Sequence, residues 1–287
     1  MPTVICVANM KGGVGKTTLC VSLGLDLLIQ GHNVLVVDND PQFNATSSLV
    51  KPQEYIDQCI KGTSQRTIYD IYERPPRVRG AARRELPPAQ FFWRRWQVKS
   101  LEKVLDLLPS RIELYETLRN PSQKEYMLDN FLKRHATKYD YILIDCPPTP
   151  SVLTLSAFAA SDYVLVPVTP DYFATLGLAQ FIGTLKDFKA DMQDPHDVKL
   201  LGAVFSRVER RPGTFTQRAI SGVKDVLDEL EVDVFDARLS KLRIFEQALW
   251  KSAPVHTIVG RGTRGRSEAM VELRAIANEM KTRIAAI

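Results

Sequence analysis

Short runs of apolar residues recur along the chain, at intervals long enough to hold a helix between them. The runs are rich in Val and Ile and lack the alternation of apolar and polar positions that is typical of a strand with one solvent face. Strands covered by helices on both faces show this pattern, which predicts an α/β fold with a doubly wound, mostly parallel sheet. The five predicted strands are Val4–Ala8, Val34–Val37, Tyr141–Ile144, Tyr163–Val168 and Leu200–Phe205.

Helical periodicity is clearest just after the first predicted strand. From Lys16 to about Gln30, Leu residues recur three and four positions apart, and Gly31 follows as a stop signal. The last predicted helix has one apolar stripe without aromatic residues, which favours packing on the protein over binding to a membrane surface. Its stripe consists of Val271, Leu273, Ile276, Met280 and Ile284. The other predicted helices are Lys99–Leu107, Lys124–His135, Gly177–Ala190, Thr216–Leu230 and Ser267–Ala286.

The composition is that of a globular protein. The 287 residues include 38 Lys and Arg against 33 Asp and Glu, and 45% of them are hydrophobic. No apolar run approaches the roughly 18 residues of a membrane span, and the first residues lack the pattern of a signal peptide. The four cysteines lack metal-binding spacing, which favours buried reduced thiols. We therefore expect a cytoplasmic protein without membrane attachment.

One stretch of the chain departs from this ordinary composition. Residues 74–95 contain seven Arg, four Pro and a single acid, so they carry more net positive charge than the +5 of the whole chain. Proline pairs at 75–76 and 87–88 exclude a continuous helix or a central strand. They predict a loop-like insertion at about 74–99 within a single domain spanning 1–287. Because aromatic residues are interleaved with the arginines, the insertion suits either a solvated loop or an anion-binding surface.

The strongest chemical signal is a glycine-rich turn, KGGVGKTT, between the first strand and the first helix. Glycines let successive backbone N–H groups turn toward a phosphate, and the helix that follows presents its positive end to the same anion. The final lysine and threonine supply a charge for the phosphates and a hydroxyl for Mg²⁺. Met10 stands where the generic phosphate-loop motif has glycine, so the match is to a variant. The predicted nucleotide-binding residues here are Lys11, Gly12, Gly13, Val14, Gly15, Lys16, Thr17 and Thr18.

Carboxylates follow two other predicted strands. Asp38 and Asp40 come directly after the second strand, and Asp145 directly follows the third. Ligands bind at the carboxyl ends of strands in open α/β sheets. There, one acid can hold Mg²⁺ through water and another can orient an attacking water. An Asp after a strand is by itself typical of a turn, but beside a phosphate loop it indicates nucleotide hydrolysis.

With these motifs in order, the chain resembles ParA-type partition ATPases of the ParA/MinD group, which have a deviant Walker-A phosphate loop. The resemblance covers nearly the whole chain outside 50–100. It rests on KGGVGKTT at 11–18, VVDNDPQFNATSS at 36–48, YDYILIDCPPTPSVLTLSA at 139–157 and SDYVLVPVTPDYFATLGLAQF at 161–181. The fold it implies is a P-loop NTPase with ATP and Mg²⁺ as cofactors.

The resemblance also implies roles for single residues. Lys11 corresponds to the signature lysine that reaches the phosphates of the partner subunit in an ATP-dependent homodimer. Lys16 and Thr17 bind phosphate and Mg²⁺, and Asp145 is the Walker-B acid. The implied catalytic residues are Lys11, Lys16 and Asp40, and the implied metal site consists of Thr17, Asp40 and Asp145, partly through water. Asp38 supports the loop and the metal shell.

Basic residues cluster in two late segments, one of them in the loop after the fifth predicted strand. The resemblance places a non-specific DNA contact in this loop, and clustered positive charge suits binding to the phosphate backbone. A solvated basic face has the same composition. The predicted DNA contacts are Arg210, Arg211, Arg218 and Arg264, and Arg207 is assigned to the nucleotide.

The function implied is that of an ATPase that dimerises with ATP, binds DNA on the nucleoid and moves or spaces a cargo. A ParB-like partner protein would stimulate its slow hydrolysis, and the cargo is a plasmid, a chromosome region or a protein assembly. One alternative is a MinD-like positioning ATPase on a membrane or scaffold, without DNA binding. Another is an electron-transfer iron protein, which requires paired cysteines, and Cys146 has no suitably placed second cysteine.

Overall fold

A seven-stranded sheet runs through the middle of the protein in a computed structural model, which describes residues 1–62, 65–73, 87–171, 174–191, 197–253, 255–257 and 263–287. Its strands are β1 (Thr3–Val7), β2 (Val34–Asp38), β3 (Trp93–Val98), β4 (Lys103–Leu108), β5 (Tyr141–Asp145), β6 (Tyr163–Val168) and β7 (Lys199–Phe205). They lie in the order β3-β4-β2-β5-β1-β6-β7. Strands β3 and β4 pair antiparallel, and the other neighbours pair in parallel. The predicted doubly wound, mostly parallel sheet is therefore confirmed.

Helices cover both faces of this sheet, which explains why its central strands are apolar throughout. The α-helices described are α1 (Lys16–Ile29), α2 (Asn44–Leu49), α3 (Pro52–Tyr55), α4 (Tyr69–Tyr72), α5 (Tyr115–Arg119), α6 (Met127–His135), α7 (Val152–Ala159), α8 (Ala174–Asp191), α9 (Thr214–Glu229), α10 (Arg243–Trp250) and α11 (Thr263–Ala286). Apolar residues of α4, α6, α7, α8 and α9 form the core on one face. Those of α1, α2, α10 and α11 form the core on the other.

The sheet register places the candidate chemistry at one edge. Strand β5 lies between β1 and β2, and Asp145 at its end pairs in register with Val7 of β1 and Asp38 of β2. The carboxyl ends of parallel strands meet at the same edge of a sheet. The phosphate loop that follows β1 and the acids that end β2 and β5 therefore lie side by side.

The helix predicted at Lys99–Leu107 is wrong. A single 3₁₀ turn covers Lys99–Leu101, and the residues after it form β4, which pairs with β2 on one side and β3 on the other. The sequence LEKVLDLL fits a helical period, but pairing on both sides outweighs that local preference. Asp106 lies in this segment, and its side chain is only 2% exposed.

The described part of the basic insertion forms an edge strand. Residues 74–86 lie outside the described residues, whereas Pro88–Gln90 form a 3₁₀ turn and β3 follows, with a register shift between Arg94 and Trp96. Proline thus stays out of the strand, in agreement with the exclusion of a central strand. The segment is a sheet edge rather than a loop from Trp93 onward.

Two arginines of β3 pair with carboxylates of their own chain. Arg94 Nε lies 2.5 Å from Asp106 Oδ1, and Asp106 Oδ2 also accepts bonds from Lys138 and from the Tyr139 hydroxyl. Arg95 binds both carboxylate oxygens of Glu54, at 2.9 and 3.2 Å. Its Nε donates to the Leu49 carbonyl at 3.0 Å, and its guanidinium lies 4.8 Å from the centre of the Trp93 ring. These arginines fasten β3 to the rest of the protein.

The last helix packs on the protein, as the sequence predicts. Leu273, Ile276 and Met280 of α11 are fully buried against the α1 side of the sheet. Val271, which the sequence places in the same stripe, is 69% exposed and does not belong to the packed face. In the part of the chain that the structure describes, no helix combines the length and apolar character needed to cross a membrane.

Candidate functional site

The phosphate loop owes its shape to two glycines in a left-handed conformation. Gly13 has a φ of 75° and Gly15 a φ of 85°, values that strain any residue with a Cβ. Gly15 precedes α1 directly and brings no side chain to cap the first turn of that helix. The loop therefore leads straight into a helix N-terminus, the arrangement that suits a bound phosphate.

Lys16 lies folded over this loop. Its side chain is almost fully buried, and its Nζ donates a hydrogen bond of 3.0 Å to the carbonyl oxygen of Lys11. Burial lowers the pKa of Lys16, while the carboxylates Asp145 and Asp40 nearby raise it. The cation therefore lies between the backbone of the loop and the acidic strand ends, in reach of an anion in the loop.

Thr17 and Asp145 form a direct contact. The Thr17 hydroxyl donates to Asp145 Oδ2 at 2.7 Å, whereas Asp145 Oδ1 is buried without a hydrogen-bond partner among the described residues. Burial raises the pKa of Asp145 well above its usual value, and the charge of Asp38 raises it further. An orphaned buried carboxylate oxygen beside a threonine hydroxyl fits a nearby Mg²⁺, because oxygen ligands are those that Mg²⁺ prefers.

Asp38 and Asp40 lie close in sequence but differ in their contacts. Asp38 Oδ2 accepts bonds of 2.7 Å from both the backbone N–H and the hydroxyl of Thr46, so it anchors the start of α2. Burial raises the pKa of Asp38 to about 7. Asp40 is 6% exposed, its Oδ1 accepts a bond from the Gln42 N–H at 2.9 Å, and burial raises its pKa. Asp40 is therefore the acid better placed to face a ligand.

Lys11 points away from the phosphate loop that contains it. Its ammonium forms an ion pair with Asp171, in the segment after β6. Asp171 Oδ2 also accepts a bond of 2.6 Å from the Thr169 hydroxyl. Sequence reasoning did not single out Asp171, although it lies in a stretch that carries the family resemblance. The contact joins residues 160 positions apart, so no local pattern could have revealed it.

The end of β7 also touches the phosphate loop. The Ser206 hydroxyl donates to the Val14 carbonyl at 2.5 Å, and Arg207 Nη1 donates to the Gly13 carbonyl at 3.1 Å. Arg207 has a left-handed backbone with a φ of 56°, which is uncommon for a residue other than glycine. The structure thus brings Arg207 to the loop, as the assignment to the nucleotide requires. It adds Ser206, for which the sequence carried no signal.

The predicted DNA contacts lie just beyond this point. Arg210, Arg211 and Arg218 are all exposed, and Arg210 forms an ion pair with Glu268 of α11. No carboxylate within the described residues lies at ion-pair distance from Arg211 or Arg218. The side chain of Arg264 lies outside the described part of the chain.

The cysteine arrangement differs from that of an electron-transfer iron protein. All four cysteines are buried and unpaired, as the sequence predicts. Cys146 in particular has no exposed surface, so it is not a cluster ligand at a subunit interface. The chemistry of the site therefore rests on the phosphate loop and the acids.

Comparison with known proteins agrees with this geometry. The profile of a family described as an AAA domain matches residues 2–198. Sporulation initiation inhibitor protein Soj of Bacillus subtilis is 34% identical over 214 residues, which are 74% of this chain and 75% of Soj. Chromosome partitioning protein ParA of Caulobacter vibrioides is 34% identical over 238 residues, which are 82% of this chain and 79% of that ParA.

Solved structures share the fold over almost the whole chain. Cobyrinic acid a,c-diamide synthase of Mycobacterium smegmatis, with bound ADP and magnesium, has a TM-score of 0.71 at 27% identity and covers 97% of this chain and 93% of its own. A variant of McdA from Cyanothece in complex with ATP has a TM-score of 0.73 at 20% identity, covering 98% and 96%. Phosphate loop, strand-end acids and relatives agree, and this chain belongs to the ParA/Soj family of partition ATPases.

Proposed function

We propose that this chain binds and hydrolyses ATP with Mg²⁺, dimerises in the ATP state, binds DNA non-specifically and partitions or positions a cargo. The observation that carries this proposal is the cluster of Lys16, Thr17 and Asp145 at the glycine loop, in which Asp145 Oδ1 is buried without a hydrogen-bond partner among the described residues. The partner is a ParB-like protein that stimulates hydrolysis. The chain acts in the cytoplasm, on the nucleoid.

In this proposal each residue of the cluster has a separate task. Backbone N–H groups of residues 12–15 bind the phosphates, and Lys16 adds a positive charge to them. Thr17 and Asp145 hold Mg²⁺, which when bound supplies positive charge to the phosphate oxygens. Asp40 orients the attacking water, for which its low exposure and its position beside Lys16 are suitable. Arg207, whose guanidinium donates to the Gly13 carbonyl, contacts the bound nucleotide beside the loop.

DNA binding rests on the exposed arginines after β7. Arg211 and Arg218 face solvent without a carboxylate partner among the described residues, so they can pair with DNA phosphates at little cost. They follow Arg207, which touches the phosphate loop, so nucleotide and DNA surfaces are contiguous along the chain. The membrane alternative has less support, because the apolar residues Leu273, Ile276 and Met280 of α11 are buried within the protein.

A DNA gel shift tests this proposal. A duplex of mixed sequence is titrated with the wild type and with Lys16→Ala, in ATP, in ADP and without nucleotide. We expect a shift with ATP alone and its loss in Lys16→Ala. The control Lys61→Ala removes a lysine that is 68% exposed, and it keeps the shift. DNA binding that is the same with ATP, with ADP and without nucleotide contradicts the proposed switch, and so does the absence of DNA binding.

Hydrolysis is tested separately with Asp40→Ala. We expect this variant to lose ATP turnover while it keeps ATP-dependent DNA binding, because Asp40 acts on the attacking water and not on the phosphates. Phosphate release is measured with and without DNA, beside the control Asp57→Ala, which changes an exposed aspartate. Unchanged turnover in Asp40→Ala would instead favour a scaffold that binds ATP without hydrolysing it.

A further inference from the structure

The side chain and the backbone of Lys11 are both fixed within its own subunit. The ammonium pairs with Asp171 Oδ1, and the backbone N–H donates to Asn9 Oδ1 at 3.0 Å. A Cβ placed on Gly177 of α8 would lie 3.7 Å from the Lys11 Cβ, so the base of the lysine side chain lies beside the start of that helix. Lys11 is therefore held beside α8 and Asp171 of its own subunit.

Asp171 is itself held in position. Its Oδ2 accepts a bond of 2.6 Å from the Thr169 hydroxyl, and its backbone N–H donates to the Thr169 carbonyl at 2.9 Å. One oxygen of the carboxylate is thus occupied by its own turn, while the other faces Lys11. This geometry presents a preformed acceptor for an ammonium group.

This contact opposes the role that the proposed function gives to Lys11. To reach the phosphates of a second copy, the ammonium must leave Asp171. The pair is open to such an exchange, because the side chains of Lys11 and Asp171 are 28% and 41% exposed. Resting on the proposed ATP-dependent dimer, we propose that Asp171 is a positioning residue that keeps Lys11 in its own subunit until a second ATP-bound copy offers a phosphate. Asp171 thereby sets the protein concentration at which the chain dimerises.

The expected size of the effect follows from symmetry. A two-fold dimer breaks the Lys11–Asp171 pair in both subunits, so the cost of one pair enters twice. A partly exposed ion pair changes an equilibrium by about threefold, and two such pairs change it by about tenfold. Removing the carboxylate should therefore tighten the dimer by about tenfold.

The test measures the dimer dissociation constant by mass photometry and sedimentation, with saturating ATP and with ADP. We expect Asp171→Asn to tighten the ATP dimer about tenfold and to leave the ADP state monomeric. Asp171→Glu keeps the charge and should stay near the wild type. Thr169→Val removes the hydroxyl that donates to Asp171 Oδ2, so Asp171 is held less firmly, and the dimer should tighten by less than in Asp171→Asn. Equal melting temperatures would show that all variants fold alike.

A double variant shows whether the effect acts through the lysine. Asp171→Asn should bring no gain in a chain that already carries Lys11→Ala, because the pair is then absent. The role of Asp171 is overturned if Asp171→Asn still tightens the dimer in a chain that lacks Lys11. It is also overturned if the Asp171→Asn dimer is as weak as the wild-type dimer or weaker. If neither the wild type nor Asp171→Asn dimerises while both bind ATP, the proposed dimer fails together with this inference. A dimer of the wild type that Asp171→Asn does not tighten overturns this inference alone.

Discussion

Arg94 and Arg95 of β3 bind carboxylates of their own chain, whereas Arg211 and Arg218 after β7 face solvent. Both pairs belong to arginine-rich stretches, and both stretches carry an excess of positive charge. In the first, Asp106 and Glu54 neutralise the arginines and the strand is fixed to the sheet. In the second, no carboxylate among the described residues lies at ion-pair distance from Arg211 or Arg218.

This difference shows that the net charge of a sequence stretch does not say how many of its arginines are unpaired and can bind a ligand. An arginine already bound to a carboxylate must break that bond before it binds a phosphate. The basic insertion therefore contributes to stability through Arg94 and Arg95, and the segment after β7 is the better candidate for a DNA surface. Arg83 and Arg84 of the insertion lie outside the described residues, so the comparison concerns β3 alone.

The largest expected effect is on stability, from Asp106→Ala. The buried carboxylate binds Arg94, Lys138 and the Tyr139 hydroxyl, and its loss should lower the free energy of unfolding by about 2–3 kcal/mol. Urea denaturation measures the change. The salt dependence of DNA binding should stay as in the wild type. A flatter salt dependence would place β3 in the DNA surface and remove the contrast between the two stretches.

The next largest expected effect is a loss of DNA affinity in the double variant that carries both Arg211→Ala and Arg218→Ala. If each arginine neutralises one phosphate, the slope of log affinity against log salt falls by about 1.8, and affinity at 0.1 M salt falls by about 60-fold. A filter-binding titration in ATP at several salt concentrations measures both. Both side chains are exposed, so we expect the free energy of unfolding to change by less than about 0.5 kcal/mol. An unchanged slope would show that these arginines do not contact DNA.

A smaller effect on stability is expected from Arg95→Ala. The side chain is 13% exposed, and its guanidinium makes two bonds to Glu54 and one to the Leu49 carbonyl, so its loss should cost about 1–2 kcal/mol. Denaturation of the matched variant Glu54→Gln measures the contribution of the ion pair alone. This variant removes the carboxylate charge but keeps Arg95 packed on Trp93. DNA binding should match the wild type in both variants. A stability equal to that of the wild type would mean that β3 is held without this contact.

The smallest expected effect sharpens the comparison at Arg210, which pairs with Glu268. Glu268→Gln removes the competing charge and should release Arg210 for a phosphate contact. Affinity for DNA in ATP should rise by up to about eightfold at 0.1 M salt, with a slope steeper by about 0.9. The control Arg210→Ala in the same background should abolish the gain. No gain would place Arg210 outside the DNA surface.

The sequence predicted five of the seven strands, for a physical reason. Strands β1, β2, β5, β6 and β7 are covered on both faces or end the sheet beside a helix layer, so the positions between their ends are apolar. Strand β3 carries Arg94 and Arg95 in an edge position, and β4 contains Asp106. These charged residues form ion pairs, Arg94 with Asp106 and Arg95 with Glu54, and such pairs leave no periodic pattern in either strand.

The candidate site likewise contains residues that the sequence predicted and residues that it did not. The phosphate loop and Asp145 were predictable because glycine conformation and strand ends are local properties, and the register of β1, β2 and β5 then brings them together. Asp171 and Ser206 were not, because their contacts with Lys11 and Val14 join distant parts of the chain. Such contacts exist only once the strand order is fixed.

The antiparallel edge of the sheet has a consequence for how copies of this protein can assemble. An unpaired parallel strand at that end would be a template for strand addition from another chain. Strand β3 covers it, and the register shift between Arg94 and Trp96 together with the paired arginines makes β3 itself a poor template. At the opposite end, an isolated bridge between Ala203 and Val234 lays a further segment along β7. Growth of the sheet from one molecule to the next is thus disfavoured, which leaves loops and helices as the surfaces for the proposed ATP-dependent dimer.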